Sequence, residues 1–409
     1  MSVAQGYEKI PTNGLVFMYD VADLSSYKGE PTTNYQIDWS PWTVGGINTD
    51  VTGTSEAGPV KNAKTWKFVK DATTNNGPYN QTNQWNGWEA TYGGIWTGNS
   101  GDIWTTSYWY KTSAPAGHTA FGIGNFYLSD WSRPYNVSIL ANSNSIIADG
   151  QWHYNSTTTQ FNENYSNAII VDGPSWGYST QTGTLYINGL QWEKKSHPTP
   201  FAGFTRSATE GLLPIAGNST IDLTNVSFDA NAQLTFDGTN DYSEILNFTN
   251  KPTASAISCE VIIKPTRPSV GTGTIRGGAI SATNSMYIGI IDSVDGGNTC
   301  AMHWANQTSN SRLYNWNGQI PNNAYSHLVG TYDGATARAY LNGVEIWSAA
   351  QTGTIPTATY YIGTYGGTIV DGVHNFNGYI PVAKIYNQAL TQEEVQQSYN
   401  KYKTRFNLS

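Results

Sequence analysis

Apolar and polar residues alternate with a period of two along most of this chain, the signature of strands with one buried and one exposed face. The clearest run reads Ser326-His-Leu-Val-Gly-Thr-Tyr332, a turn at Asp333-Gly334, Thr336-Ala-Arg-Ala-Tyr-Leu341, then Asn342-Gly343 and Val344-Glu-Ile-Trp347. Asn-Gly tolerates positive φ at both central positions of a type I′ turn, so this spacing predicts a two-residue hairpin. Gly183-Thr-Leu-Tyr-Ile-Asn188-Gly189-Leu-Gln-Trp192 reads as another long strand with a bulge or turn at Asn-Gly. One segment changes period. Thr391-Gln-Glu-Glu394 is a capping box, Leu390 and Val395 sit where a hydrophobic staple needs them, and Val395, Tyr399 and Tyr402 follow at helical spacing. The pattern therefore predicts an all-β protein closed by one short C-terminal helix. No period of 20 to 50 residues is visible, which disfavours solenoids and propellers.

A chain of 409 residues exceeds one ordinary core, so two domains are expected. Pro198-Thr-Pro200-Phe-Ala-Gly203 breaks the strand pattern, and a second break lies around Gly29-Glu-Pro31. Charged residues make up 12% of the chain, well under the roughly 25% of an ordinary domain. Aromatics reach 13%, with 15 Trp and 27 Tyr. Disordered chains lack that aromatic content. A net charge of -8, with no basic run longer than Lys194-Lys195, argues against nucleic acid as a partner. No apolar run reaches the length of a membrane span, and MSVAQGYEKIPTNG lacks the features of a secretory signal. The expectation is a protein made and folded in a cytosol, with Cys259 and Cys300 buried and reduced.

Particular residues resemble known families. Leu234-Thr-Phe-Asp237-Gly-Thr-Asn-Asp241-Tyr, the run His327 to Gly334, Tyr340-Leu-Asn-Gly343-Val, and Gly378 through Val395 together resemble a laminin-G-like, or concanavalin-A-like, lectin domain of bacteriophage structural proteins. Gly14-Leu-Val-Phe-Met-Tyr-Asp20 through Tyr27 resembles the first strand of the same modules. Asp102 through Lys111, Asp149-Gly-Gln-Trp152-His, and Leu190-Gln-Trp-Glu193 running to Thr199-Pro-Phe-Ala-Gly203 resemble a carbohydrate-binding module of the galactose-binding-like class, with an ending frequent in phage virion proteins. The resemblance implies two β-sandwich jelly rolls. Residues 1–13 would be a tether, 14–30 the first strand of the lectin-like domain, 31–205 an inserted jelly roll, and 206–409 the rest of the lectin-like domain. A tandem arrangement is the rival. It also implies a virion surface protein, a head decoration or fibre or a tail-associated fibre, assembled with other capsid or tail proteins in several copies. Host surface polysaccharide would be its ligand. The alternatives are a purely structural capsid cement, and a cellular lectin or accessory module, which would call for an export signal.

Concanavalin-A-like folds include glycoside hydrolases, which need two carboxylates on one face, about 5–5.5 Å apart for retention. No Glu-x-Asp-x-Glu strand occurs here, and Glu393-Glu394 belongs to the helix start, so no enzyme is expected. His118, His153, His197, His303, His327 and His374 never occur at metal-ligand spacing and read as hydrogen-bonded strand residues. No cofactor is expected beyond a structural calcium ion, for which Asp237, Asn240 and Asp241 supply oxygens in a turn, as does the acidic loop Asp292 to Asp295. The competing reading is that these side chains cap the turn. Sugar binding needs aromatic faces beside hydrogen-bonding groups. Trp85, Trp88 and Trp96 in Gly-rich stretches, with Trp131 and Trp176 beside Pro and Gly, are the candidates, whereas Trp104 and Trp109 on a strand read as core.

Overall fold

The computed structural model describes residues 10–35, 49–54, 56–61, 63, 65–70, 96–112, 125–128, 137–142, 147–171, 183–252, 256–266, 276–283, 286–292, 299–306, 312–355, 358–365 and 374–408. The chain divides into two compact units: Met1–Pro31 together with Ser207–Ser409, here the terminal unit, and Thr32–Arg206, the central unit. Both are built from antiparallel strands, as the period-two pattern predicts.

In the terminal unit an eight-stranded sheet orders Ser227–Phe228, Leu234–Asp237, Asn377–Tyr386, Ile257–Pro265, Ser326–Tyr332, Thr336–Leu341 and Val344–Ala350, with Leu15–Asp20 also paired to Asn377–Tyr386. A seven-stranded sheet orders Thr220–Asn225, Tyr242–Leu246, Tyr360–Ile362, Arg276–Ala282, Met286–Asp292, Thr299–Asn306 and Arg312–Pro321. Val261, Ile263 and Ile385 from the first sheet meet Ile245, Ile280 and Ile288 from the second in one buried cluster. Burial of each such side chain contributes about 1.5–3 kcal/mol. Cys259 is a free thiol in this core, as expected; the Cys300 side chain lies outside the described residues.

Local chemistry sets the hairpin and the helix as the sequence predicts. Leu341 pairs with Val344, and Asn342 and Gly343 have φ of 49° and 81°, a two-residue type I′ turn. The helix spans Gln392–Phe406, with both arms of the capping box formed at Thr391 and Glu394, acids in its first turn and Lys403 and Arg405 in its last. Leu390 and Val395 pack in one cluster, completing the staple. Asn407 ends the helix in the left-handed conformation at φ 51°.

This helix covers the outer face of the eight-stranded sheet, so the 257–265 strand is buried on both sides. Its inner positions are Ile257, Cys259, Val261 and Ile263; its outer ones include Ser258, Glu260 and Ile262. Glu260 is wholly buried there. Its Oε1 accepts from Lys384 Nζ at 2.7 Å, His327 Nε2 at 3.1 Å and the Ser398 hydroxyl, and its Oε2 from Tyr386 OH at 3.3 Å. Burial alone would raise this carboxyl, but Lys384 beside it and the His327 hydrogen bond outweigh that and hold it well below the usual carboxylate range.

The central unit carries a six-stranded sheet in the order Thr49–Thr54, Thr65–Lys70, Gly183–Glu193, Ile103–Thr112, Trp152–Phe161, Val137–Asn142. A smaller sheet joins Trp96–Gly98, Tyr165–Val171 and Asn125–Leu128, and Thr32–Thr33 pairs with Thr205–Arg206, bringing the two ends of the unit together. The bulge expected at Asn188-Gly189 is present: the register against 103–112 shifts between Asn188 and Gln191, and Gly189 has φ of 65°. The 190–203 motif is a clasp. Gln191 Nε2 donates to Thr199 O at 3.1 Å and Glu193 Oε1 at 2.9 Å, while Gln191 Oε1 accepts from Ala202 N at 2.6 Å. Glu193 also accepts from Thr199 N at 2.8 Å, Thr199 Oγ1 at 2.7 Å and Thr32 Oγ1 at 2.8 Å. Among the described residues no helix is long and apolar enough to cross a membrane.

Candidate functional site

Side chains alternate across a strand, so the two faces of the six-stranded sheet differ. On 103–112, Trp104, Tyr108 and Tyr110 point into the core with Phe161, Ile187 and Trp192. Trp109 and Lys111 take the other parity and are half-buried. The sequence reading that assigned Trp109 to the core is thereby corrected: an odd separation from Trp104 puts it on the opposite face. Trp104 is buried as expected.

Register then builds a patch from four strands. Lys111 stands opposite Trp152 on one side and Tyr186 on the other, and Tyr186 stands opposite Lys67. The next row pairs Trp109 with Tyr154 and with Asn188. Trp152 and Tyr186 lie edge to face at 6.4 Å between centroids, and Trp109 and Tyr154 lie tilted at 5.4 Å. Lys111 Nζ sits 4.8 Å from the Tyr186 ring centroid and 5.8 Å from that of Trp152, and it is ion-paired with Glu56. Lys67 Nζ lies 5.9 Å from Tyr186. Such contacts fix the rings while leaving part of them in water. Tyr154 is 43% exposed, and its partial burial pushes the hydroxyl above its ordinary value, so it stays a hydrogen-bond donor at neutral pH. Further along the same face, Ser107, Thr105, Gln191 and Glu193 are buried, with Thr105 Oγ1 donating to Lys195 O at 2.8 Å. At the open end, two pairs of aromatic rings sit beside amines and a carboxylate. This is a surface that can stack the C–H face of a pyranose and hydrogen-bond its hydroxyls.

Of the aromatic residues singled out from sequence, Trp85, Trp88, Trp131 and Trp176 lie outside the described residues, and for Trp96 only the backbone, in strand Trp96–Gly98, is described. Trp109, Trp152, Tyr154 and Tyr186 were not singled out. The available signal was parity: Trp152 and Tyr154 are two apart, as are Trp109 and Lys111.

The calcium candidates lie in one turn of the terminal unit. Asp237 Oδ1 accepts from Thr239 N at 2.7 Å and Asn240 N at 3.1 Å, and Asp241 Oδ2 accepts from Asp237 N at 2.8 Å and Ser227 N at 3.1 Å. Burial raises the Asp241 carboxyl. A cation would compete with these N–H groups for the same oxygens. No group of three His, Cys, Asp or Glu placed to hold a metal occurs among the described residues; Asp295 lies outside them, as does the Asp292 side chain. The seven-stranded sheet does set two half-buried acids opposite each other across strands, Asp222 and Glu244, an arrangement that a search along single strands overlooks. Asp222 Oδ1 accepts from Thr224 N at 2.9 Å and from its hydroxyl at 2.6 Å.

Residues 237–396 match the concanavalin A-like lectin/glucanases superfamily. This lectin/glucanase-like stretch lies wholly within the terminal unit. No curated protein matches the chain. Similar solved structures include domain 4 of an extracellular arabinanase from Geobacillus stearothermophilus in complex with arabinotriose, at 19% identity and TM-score 0.30, covering 44% of this chain and 82% of that one. The binding domain of botulinum neurotoxin DC in complex with rat synaptotagmin II gives 15% identity and TM-score 0.33, covering 47% of this chain and 50% of that one. Trypanosoma rangeli sialidase gives 11% identity and TM-score 0.33, covering 46% and 30%. The chain thus spans only half of the toxin domain's length and less of the sialidase. Likenesses at this level assign neither ligand nor activity.

Proposed function

We propose that this chain is a non-catalytic glycan-binding protein, which holds sugar rings against the Trp152–Tyr186 face of its central unit. The observation that carries the reading is the row Trp152–Lys111–Tyr186–Lys67, partly open to solvent on a sheet whose other face is core. Its setting is the surface of a bacteriophage particle, as head decoration, fibre or tail-associated fibre. The phage-like opening strand and the phage-like 190–203 ending support this setting. There several copies would attach to host polysaccharide, and weak sites would gain strength from avidity. The proposal requires no cofactor, and neither membrane nor nucleic acid as a partner.

The test is a glycan array probed with the full chain, its Trp152→Ala/Tyr186→Ala variant, and a melting curve for each. Retention by the parent, weakened roughly tenfold in the folded double variant, is expected from the loss of two stacking faces. Parallel incubations should release no reducing ends; release that disappears in Glu244→Gln would instead make the Asp222–Glu244 pair catalytic. If the array stays blank, a structural capsid role takes over. The exposed Ile139 and Leu140 on the edge strand Val137–Asn142 favour that second reading, because such an edge suits contact with a neighbouring subunit.

A further inference from the structure

We infer that the ligand of the Trp152–Tyr186 face is an anionic glycan carrying carboxylates, a uronate-bearing polysaccharide; this rests on the glycan-binding reading of the same face. The argument begins with charge. The chain as a whole is acidic, at -8, yet the described side chains of this row hold two lysines against one glutamate. Lys111 is neutralised by Glu56 and lies between two rings, so its charge is already satisfied. Lys67 approaches Tyr186 at 5.9 Å and meets no carboxylate among the described residues.

A neutral sugar would leave that ammonium without a counter-charge while displacing its water. A carboxylate carried on the ring at the position of an exocyclic hydroxymethyl group would meet it instead. Tyr186 supports both parts of such a ligand, since one ring touches the cation and presents a face to the sugar. Lys111 and Lys67 occupy one line across the sheet, with Tyr186 between them and Trp152 at the end, and with Lys111 paired to Glu56 it is Lys67 that is left to meet a carboxylate. A chain laid along that line would stack residues on Trp152 and Tyr186 and place one carboxylate at Lys67.

The experiment is affinity electrophoresis of the full chain through gels holding polygalacturonate, alginate or hyaluronan, and through the same polysaccharides with their carboxylates reduced to alcohols. The parent should be retarded more by at least one acid than by its reduced form, and the difference should shrink as salt rises. In Lys67→Gln the ratio of acid to reduced-form affinity should drop by roughly 2- to 5-fold, the size of one half-exposed charge pair, and Lys67→Arg should restore it. Equal retardation by acid and reduced forms, or no retardation by any acid from a protein that binds neutral array glycans, overturns the acidic assignment and leaves the glycan-binding reading standing. Failure to bind any sugar, charged or neutral, removes both.

Discussion

Each unit seals a glutamate away from solvent, Glu260 in the terminal unit and Glu193 in the central one, and the two are satisfied by opposite means. Glu260 faces an ammonium, an imidazole and two hydroxyls, all from side chains on neighbouring strands and the helix. Among the described residues Glu193 accepts hydrogen bonds from neutral donors only, one of them the backbone N–H of Thr199. The first arrangement joins a sheet to its covering helix through side chains that could all be exchanged for apolar ones. The second holds a loop whose backbone donor needs an acceptor whatever side chains surround it. Burial also pulls the Lys384 ammonium below its ordinary value although Glu260 opposes this, so the ion pair exists at the expense of two desolvations. The buried charge pair is therefore expected to be replaceable, and the clasp around Glu193 is not.

Breaking one partner of the charged cluster should have the largest effect. Glu260→Gln leaves the Lys384 ammonium uncompensated and should lower stability of the terminal unit by about 3–5 kcal/mol in urea unfolding. Glu260→Leu combined with Lys384→Met removes both charges and should recover part of that loss, the remainder reflecting the His327, Ser398 and Tyr386 donors left without their acceptor. If the pair is as damaging as the single change, the cluster is not replaceable and the contrast fails. Glu193→Gln should cost about 1–3 kcal/mol in the central unit. The new amide nitrogen faces hydroxyls of Thr32 and Thr199 that can rotate to accept, whereas an ammonium has no such freedom. Here the sharper variant is Glu193→Leu, which must do worse than Gln because Thr199 N loses its acceptor.

Acid supplies a smaller, graded test. The Glu260 carboxyl is held below its ordinary value of 4.5, so the folded state binds its proton less readily than the unfolded state does. Its stabilisation is complete above about pH 4.5 and is lost as pH falls from there through the depressed folded value. The melting temperature of the terminal unit should fall over that window in the parent and fall less in Glu260→Leu/Lys384→Met. A double variant with the same acid slope as the parent would assign the pH dependence to other carboxylates.

What the sequence disclosed follows the range of the interactions involved. The 336–350 hairpin and the 391–406 helix were legible because Asn342-Gly343 and Thr391-x-x-Glu394 each act within four residues. Trp109 was misassigned because its face depends on parity relative to Trp104, which strand propensity alone ignores. The row from Trp152 to Lys67 was hidden more deeply. Its members are 41, 75 and 119 residues apart in sequence (152 against 111, 186 against 111, 186 against 67), and only strand register brings them together. Glu260 and His327 stood in plain strand patterns, and nothing local told that a helix starting 132 residues after the first and 65 after the second would cover them.

The helix offers the mildest probe of the same contrast. Thr391 Oγ1 accepts from Glu394 N at 3.2 Å, and Glu394 Oε2 accepts from Thr391 N at 2.9 Å. Thr391→Ala should lower stability by about 1 kcal/mol, with Thr391→Ser or Thr391→Asp close to the parent. The loss belongs to the terminal unit alone, because the central unit has no helix among its described residues and its buried carboxylate is held by strand and loop. Ser398, which donates to Glu260, lies two turns beyond the cap, so fraying of the first turn should leave the buried cluster intact. Amide exchange should then quicken at the first turn and remain slow at Ser398 and beyond. If exchange quickens equally at both, cap and charged cluster form a single cooperative element, and the cover over Glu260 depends on its first residue as much as on its ion pair.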